Sequence, residues 1–137
     1  MKAVLDSSVL VSAFLKPSGT PATLLSHAQQ GAFTLCLSDD ILQETARALN
    51  RPRIQQGYGY ATEEIERFLT FLIQTAEIVR DLPNVPAVSR DRNDDVIIAA
   101  ALTAQAACLV TGDEDLLSLG KHEGVLIVTP RDFLHLL

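Results

Sequence analysis

The chain reads as a three-layer α/β sandwich around a central, parallel, five-stranded sheet. Short apolar runs at residues 2–5, 33–37, 77–80, 108–111 and 125–128 alternate with helix-period segments down the whole length. That alternation predicts parallel strands joined by helical crossovers, with helices on both faces of the sheet. The 137 residues are enough to bury one sizeable core, so residues 1–137 are expected to form a single domain.

The elements follow in order. Residues 2–5 form a short, fully buried strand, and Ser7 or Ser8 is placed to cap a helix over residues 9–15. Lys16 to Gly19 is a loop by its breakers. Thr20 then caps a helix with Pro21 at its first position, which Gly31 ends. After the second strand, Ser38 caps a helix whose first turn carries Asp39 and Asp40, favourable against the helix dipole. Ile41, Thr45 and Leu49 mark its inner face, and Asn50 to Pro52 ends it. Residues 55–60 have no period and are expected to be a loop. From Thr62 a long helix presents Ile65, Phe68, Leu69, Leu72, Ile73 and Ala76 on one apolar face. A weak third strand at 77–80 leads into a loop over 81–92 containing Pro83 and Pro86. A helix over about 94–107, the fourth strand, a turn at Gly112 and the fifth strand follow. Thr129-Pro130 opens a last helix with Phe133, Leu134 and Leu137.

Composition narrows the function. Apolar residues make up 47% of the chain, but no run is long enough to span a bilayer. The start meets Asp6 too soon for a signal peptide, so a cytoplasmic protein is expected. Cys36 and Cys108 lie in strand-like runs without metal or CxxC spacing, which predicts buried free thiols. A net charge of -6 argues against broad, sequence-blind attraction to nucleic acid. It leaves room for a nucleic-acid enzyme whose acids hold a cation, or for a basic protein partner.

Four acids stand where such a site belongs. In a parallel α/β sheet, ligands bind beyond the carboxyl ends of the strands. Asp6 directly follows the first strand, and Asp113 follows the fourth after Gly112. Asp94 opens the helix that feeds the fourth strand. At about 100° per residue, Ile97, Ile98, Ala101 and Leu102 average roughly 10° from Asp94, and Asp95 lies near 100°. Asp94 therefore sits on the centre line of the inward face, with Asp95 to its side. A core-facing carboxylate is costly without compensation, and the helix dipole returns only about 0.3–1 kcal/mol. Glu44 is the fourth candidate, near the apolar face of its helix. Several carboxylates gathered together repel one another and take up protons. Mg²⁺ or Mn²⁺ removes that conflict and prefers oxygen ligands. A metal-activated water can then attack phosphorus. Taken singly, each acid has an ordinary reading: a helix cap for Asp6, first-turn acids for Asp94 and Asp95, a solvated residue for Glu44, turn formers for Asp113 and Asp115.

With these residues in place, the chain resembles the PIN-domain ribonucleases, and among them the VapC-like toxin components of bacterial toxin–antitoxin systems. The likeness runs through Val4 to Ala13, Leu37 to Glu44 with Leu49 to Pro52, Asp94 to Leu102, Leu109 to Leu117 (LVTGDEDLL), and Ile127 to Pro130 with Phe133. It implies a PIN-like fold and a Mg²⁺- or Mn²⁺-dependent endoribonuclease with catalytic and metal-binding acids at Asp6, Glu44, Asp94 and Asp113. Asp115, Asp95 and Ser8 are outer-shell candidates. Ser8 stands where the family often has Asn. The resemblance further implies an RNA substrate, a small antitoxin partner and a homodimer or higher homo-oligomer. Arg51, Arg53, Arg90 and Arg92 flank the acids in sequence and are candidates for phosphate contacts. Tyr58 and Tyr60 are candidates for stacking on bases or for packing.

Rival classes fit less well. A receiver domain needs Lys after the fifth strand, where Thr129-Pro130 stands, and a haloacid-dehalogenase-type phosphatase needs Asp where Ser8 stands. No glycine-rich phosphate loop follows the first strand. The remaining alternative is a catalytically inactive PIN-like module that binds RNA or regulates a partner.

Overall fold

The first strand, β1 (Lys2–Leu5), lies in the interior of a six-stranded sheet. Ala3, Val4 and Leu5 are fully buried, as a strand covered on both faces must be. The structure is a computed structural model and describes residues 1–80 and 92–137. In chain order, β1 is followed by α1 (Ser7–Leu15), α2 (Thr20–Gln29), β2 (Thr34–Ser38), α3 (Asp39–Leu49), α4 (Pro52–Tyr58), α5 (Thr62–Thr75) and β3 (Glu77–Val79). Then come α6 (Arg92–Ala104), β4 (Cys108–Val110), α7 (Glu114–Leu117), β5 (Lys121–His122), β6 (Val125–Val128) and α8 (Pro130–Leu136).

The strand order is β3-β2-β1-β4-β6-β5, and β3, β2, β1, β4 and β6 all run parallel. These are the five strands expected from the sequence. The sheet gains a sixth, two-residue strand at its edge: β5 pairs antiparallel with β6, with His122 opposite Val125. Glu123 (φ 46°) and Gly124 (φ 89°) make the two-residue turn between them, both left-handed as a tight hairpin of this kind requires.

The chain runs outward from β1 through β2 to β3, then returns across β1 to lay β4 on its other side. Strand order therefore reverses between β1 and β4. In open α/β sheets, the crevice beyond the strand ends at such a reversal is where ligands bind.

Several helix ends differ from expectation. Asp6, not Ser7 or Ser8, is the N-cap residue of α1, and its side chain makes no capping bond. Gly19 takes the cap position of α2, with Thr20 as the first helical residue. Ser38 and Thr129 cap as expected: Ser38 Oγ accepts from Ile41 N at 3.2 Å, and Thr129 Oγ1 from Asp132 N at 3.1 Å.

Residues 52–58, mostly expected as loop, form α4. Pro52 starts it and Gly59 (φ 72°) closes it, with Gly59 N donating to Gln55 O at 2.8 Å. The segment expected as a turn after Gly112 contains a short helix, α7, capped by Asp113. On α5, Ile65 and Leu72 are buried, but Ile73 is 54% exposed and lies off the packed face.

Leu5, Leu10, Leu24, Leu35, Leu37 and Leu109 are among the fully buried side chains of the core. Each contributes about 1.5–3 kcal/mol by leaving water. Phe33 and Phe133 meet edge to face at 4.9 Å and join β2's entry to α8. Cys36 and Cys108 are buried free thiols, with pKa values raised chiefly by burial. Among the described residues, no helix is long and apolar enough to cross a membrane.

Candidate metal centre and active site

An open cleft of about 410 Å³ lies at the point where strand order reverses. Asp6, Glu44, Asp94 and Asp113 all line it, together with Ser7, Ser8, Ser12, Ile97, Gly112 and two prolines, Pro21 and Pro130. Residues 107 positions apart in sequence thus share one cavity. Four acids and no lysine or arginine among the described lining residues make it a place for a cation.

Asp6 arrives as the residue after β1. Its backbone N–H donates to Val110 O at 2.9 Å, which fastens the end of β1 to β4. Asp6 is 5% exposed, and its carboxylate accepts from both sides, from Ser7 Oγ on Oδ1 at 3.3 Å and from Thr111 Oγ1 on Oδ2 at 2.8 Å. Burial raises its pKa above the ordinary 3.8. Hydrogen bonds from Thr111 and Ser7 oppose that rise, and the nearby charge of Asp113 adds to it.

Thr111 does two things at once. While donating to Asp6, its Oγ1 accepts the Asp113 backbone N–H at 3.0 Å. Asp113 in turn caps α7, its Oδ1 accepting Asp115 N–H at 2.9 Å. Thr111 is not among the site residues expected from the sequence. Its signal is its position, at the end of the run expected as the fourth strand and two residues before an acid.

Asp94 is in the first turn of α6 and 3% exposed, on the inward face that helical geometry predicts. Asp95 is equally buried but does not line the cleft, because α6 is covered on more than one side: Ile97, Ile98, Ala99, Ala100 and Ala101 are all buried. Glu44 reaches the cleft from the middle of α3, whose inner face is Ile41, Thr45 and Leu49 as expected. Ser8 lines the cleft and is exposed. Ser12, one turn further along α1, lines it too and was not anticipated.

The donor set fits a hard divalent ion. One carboxylate oxygen from each of Asp94, Asp113 and Asp115 lies within 4.8 Å of the others. Oxygen-only donors are the chemistry of Mg²⁺ and Mn²⁺. Asp115, expected at most in an outer role, belongs to this closest group, whereas Asp6 and Glu44 stand elsewhere on the same cleft wall. Arg51 and Arg53, at the cap and start of α4, are exposed and do not line the cleft. Arg90 and the side chain of Arg92 lie outside the described residues.

The chain is similar to known proteins in sequence and in fold. The chain is 28% identical over 142 residues to the uncharacterized protein MJ1680 of Methanocaldococcus jannaschii, covering 98% of this chain and 90% of that one. Its fold resembles a chain in the crystal structure of VapBC2 from Rickettsia felis bound to a DNA fragment from their promoter. That match has a TM-score of 0.62 at 16% identity, over 93% of this chain and 97% of the other. The PIN domain model matches residues 2–115, which span the sheet from β1 through β4 and every acid of the cleft. The chain belongs to the PIN-domain family.

Proposed function

We propose that this chain is a metal-dependent endoribonuclease and the toxin of a toxin–antitoxin pair. The observation that carries the reading is the meeting of Asp6, Glu44, Asp94 and Asp113 on one cleft at the strand-order reversal. PIN-family membership and the likeness to a chain of a VapBC complex support it.

Asp94, Asp113 and Asp115 would hold a Mg²⁺ or Mn²⁺ ion, with Asp6 and Glu44 beside it. Such an ion supplies charge for the phosphodiester and activates water as the nucleophile. The protein's part is positioning. Thr111 and Ser7 fix the Asp6 carboxylate from two sides, so it need not reorganise when the cation arrives. Thr111 also ties Asp113 to Asp6 through the Asp113 backbone. The hydroxyls of Ser8 and Ser12 face the same space and are suited to donate to phosphate oxygens. Arg51 and Arg53 would hold the RNA backbone outside the cleft.

The partners are an RNA substrate, a small antitoxin protein and a second copy of the chain. An acidic protein of net charge -6 suits a basic antitoxin segment. The direct test is incubation of purified protein with single-stranded RNA and Mn²⁺ or Mg²⁺. Cleavage that EDTA stops and Asp94→Asn abolishes is expected. RNA retention without metal-dependent cleavage would assign a non-catalytic binding module instead.

A further inference from the structure

A second cavity of about 260 Å³ lies at the C-terminal end of α1, lined by Phe14, Leu15, Pro17, Tyr58, Tyr60 and Glu64. We infer that this aromatic pocket is a base-stacking subsite that takes one unpaired nucleobase of the RNA substrate, with Tyr58 as its platform. The inference rests on the ribonuclease reading above and adds a substrate-binding element to it.

The two cavities share a helix face. Ser8 and Ser12 of α1 line the acidic cleft, and Leu15 of α1 lines the aromatic pocket. Residues three and four apart on a helix are surface neighbours, so Ser8, Ser12 and Leu15 form one continuous stripe. Ser8 is exposed and the other two half-buried. From Ser8 to Leu15 the stripe rises about 10 Å at 1.5 Å per residue, a short reach for a nucleotide chain leaving the scissile phosphate.

The pocket's chemistry suits a base and not a phosphate. Its one ionised group is Glu64, which repels phosphate and is held in place by accepting Ala61 N–H on Oε2 at 2.8 Å. Its volume is several times the roughly 30 Å³ share of one water, leaving room for a planar ring.

The two tyrosines have different roles. Tyr60 is committed to structure: its hydroxyl donates to Leu49 O at 2.7 Å and its ring meets Phe14 edge to face at 4.8 Å. Tyr58 is 54% exposed in the last turn of α4, just before the left-handed Gly59. An exposed ring at the mouth of a pocket is the kind of platform on which single-stranded bases stack, without dependence on sequence.

The composition provides the probe. The chain has two tyrosines and no tryptophan, and both tyrosines line this pocket, so its tyrosine fluorescence reports the pocket alone. In EDTA, a mixed-sequence single-stranded oligoribonucleotide should quench that fluorescence saturably, and the same sequence in a duplex should not. Anisotropy of the end-labelled oligonucleotide should show Tyr58→Ala binding about fivefold to 100-fold more weakly, with Tyr58→Phe binding as wild type. Absence of quenching, or equal affinity in Tyr58→Ala, overturns the subsite. So does a Tyr58→Ala variant that keeps its affinity for RNA but loses association with a protein partner. Metal-dependent cleavage of the same oligonucleotide is scored separately. Tyr58-dependent binding without cleavage would uphold the subsite and reject the ribonuclease reading, whereas cleavage with an unchanged KM in Tyr58→Ala would do the reverse.

Discussion

Thr111 donates its hydroxyl proton to Asp6 Oδ2 at 2.8 Å and receives the Asp113 N–H at 3.0 Å on the same oxygen. One side chain at the end of β4 thus sets the position of an acid after β1 and of an acid before α7. Partners of this kind orient ligands, and their loss typically costs about 10–100-fold in metal affinity or activity. Thr111→Val, which keeps shape and removes the hydroxyl, should remain folded and lose cleavage on that scale. Thr111→Ser should retain most of it. Calorimetric Mn²⁺ titration and RNA cleavage rates check both.

Asp6 carries a cost in the metal-free protein. Burial raises its folded-state pKa above 3.8, so folding takes up a proton between those two values. The stabilising contribution of protonated Asp6 is fully present below about 3.8 and disappears as pH rises through the raised pKa. At neutral pH, Asp6→Asn should therefore melt higher than wild type in EDTA, with the gap closing toward acid. The same variant should lose most of the rise in Tm that Mn²⁺ gives the wild type. A lower Tm for Asp6→Asn in EDTA at neutral pH would show that its hydrogen bonds outweigh its desolvation.

Arg51 and Arg53 are exposed and outside the cleft. Exchanging both for alanine should raise KM for RNA, leave kcat within about twofold, and reduce the dependence of binding on salt, the behaviour of phosphate contacts. A fall in kcat with unchanged KM would place them in the chemistry instead.

Ser38 holds the start of α3, the helix that delivers Glu44 to the cleft. Ser38→Ala should cost about 1 kcal/mol in chemical denaturation. Because Leu49 and Ile41 still anchor the helix in the core, the cleavage rate should fall far less than for Thr111→Val.

Strands β1, β2 and β4 were legible because they are buried on both faces and so read as short apolar runs, whereas β3 exposes Glu77 and gives only a weak signal. The places of Asp6 and Asp113 on the cleft follow from the strand-end rule, that of Asp94 from the helical phase of α6, and that of Glu44 from its position near the apolar face of α3. Helix α4 was not legible because none of its residues is buried, which leaves no apolar period to detect. The two-residue β5 is too short to carry a pattern, and its turn uses Glu123-Gly124 in place of the usual Asn-Gly. Helical phase sets Asp95 to the side of α6, and because Ala99 and Ala100 are buried too, that side is covered as well. Thr111 is marked in the sequence only by its place near an acid, and its positioning role depends on a bond to a segment 105 positions away that no local pattern shows.

The most direct test is an anomalous difference map from crystals soaked in Mn²⁺. A peak among the carboxylates of Asp94, Asp113 and Asp115, within the cleft that Asp6 and Glu44 share, is the predicted result. A cleft without a peak at saturating Mn²⁺, or an ion bound only outside it, would contradict the assignment of these acids to one metal centre.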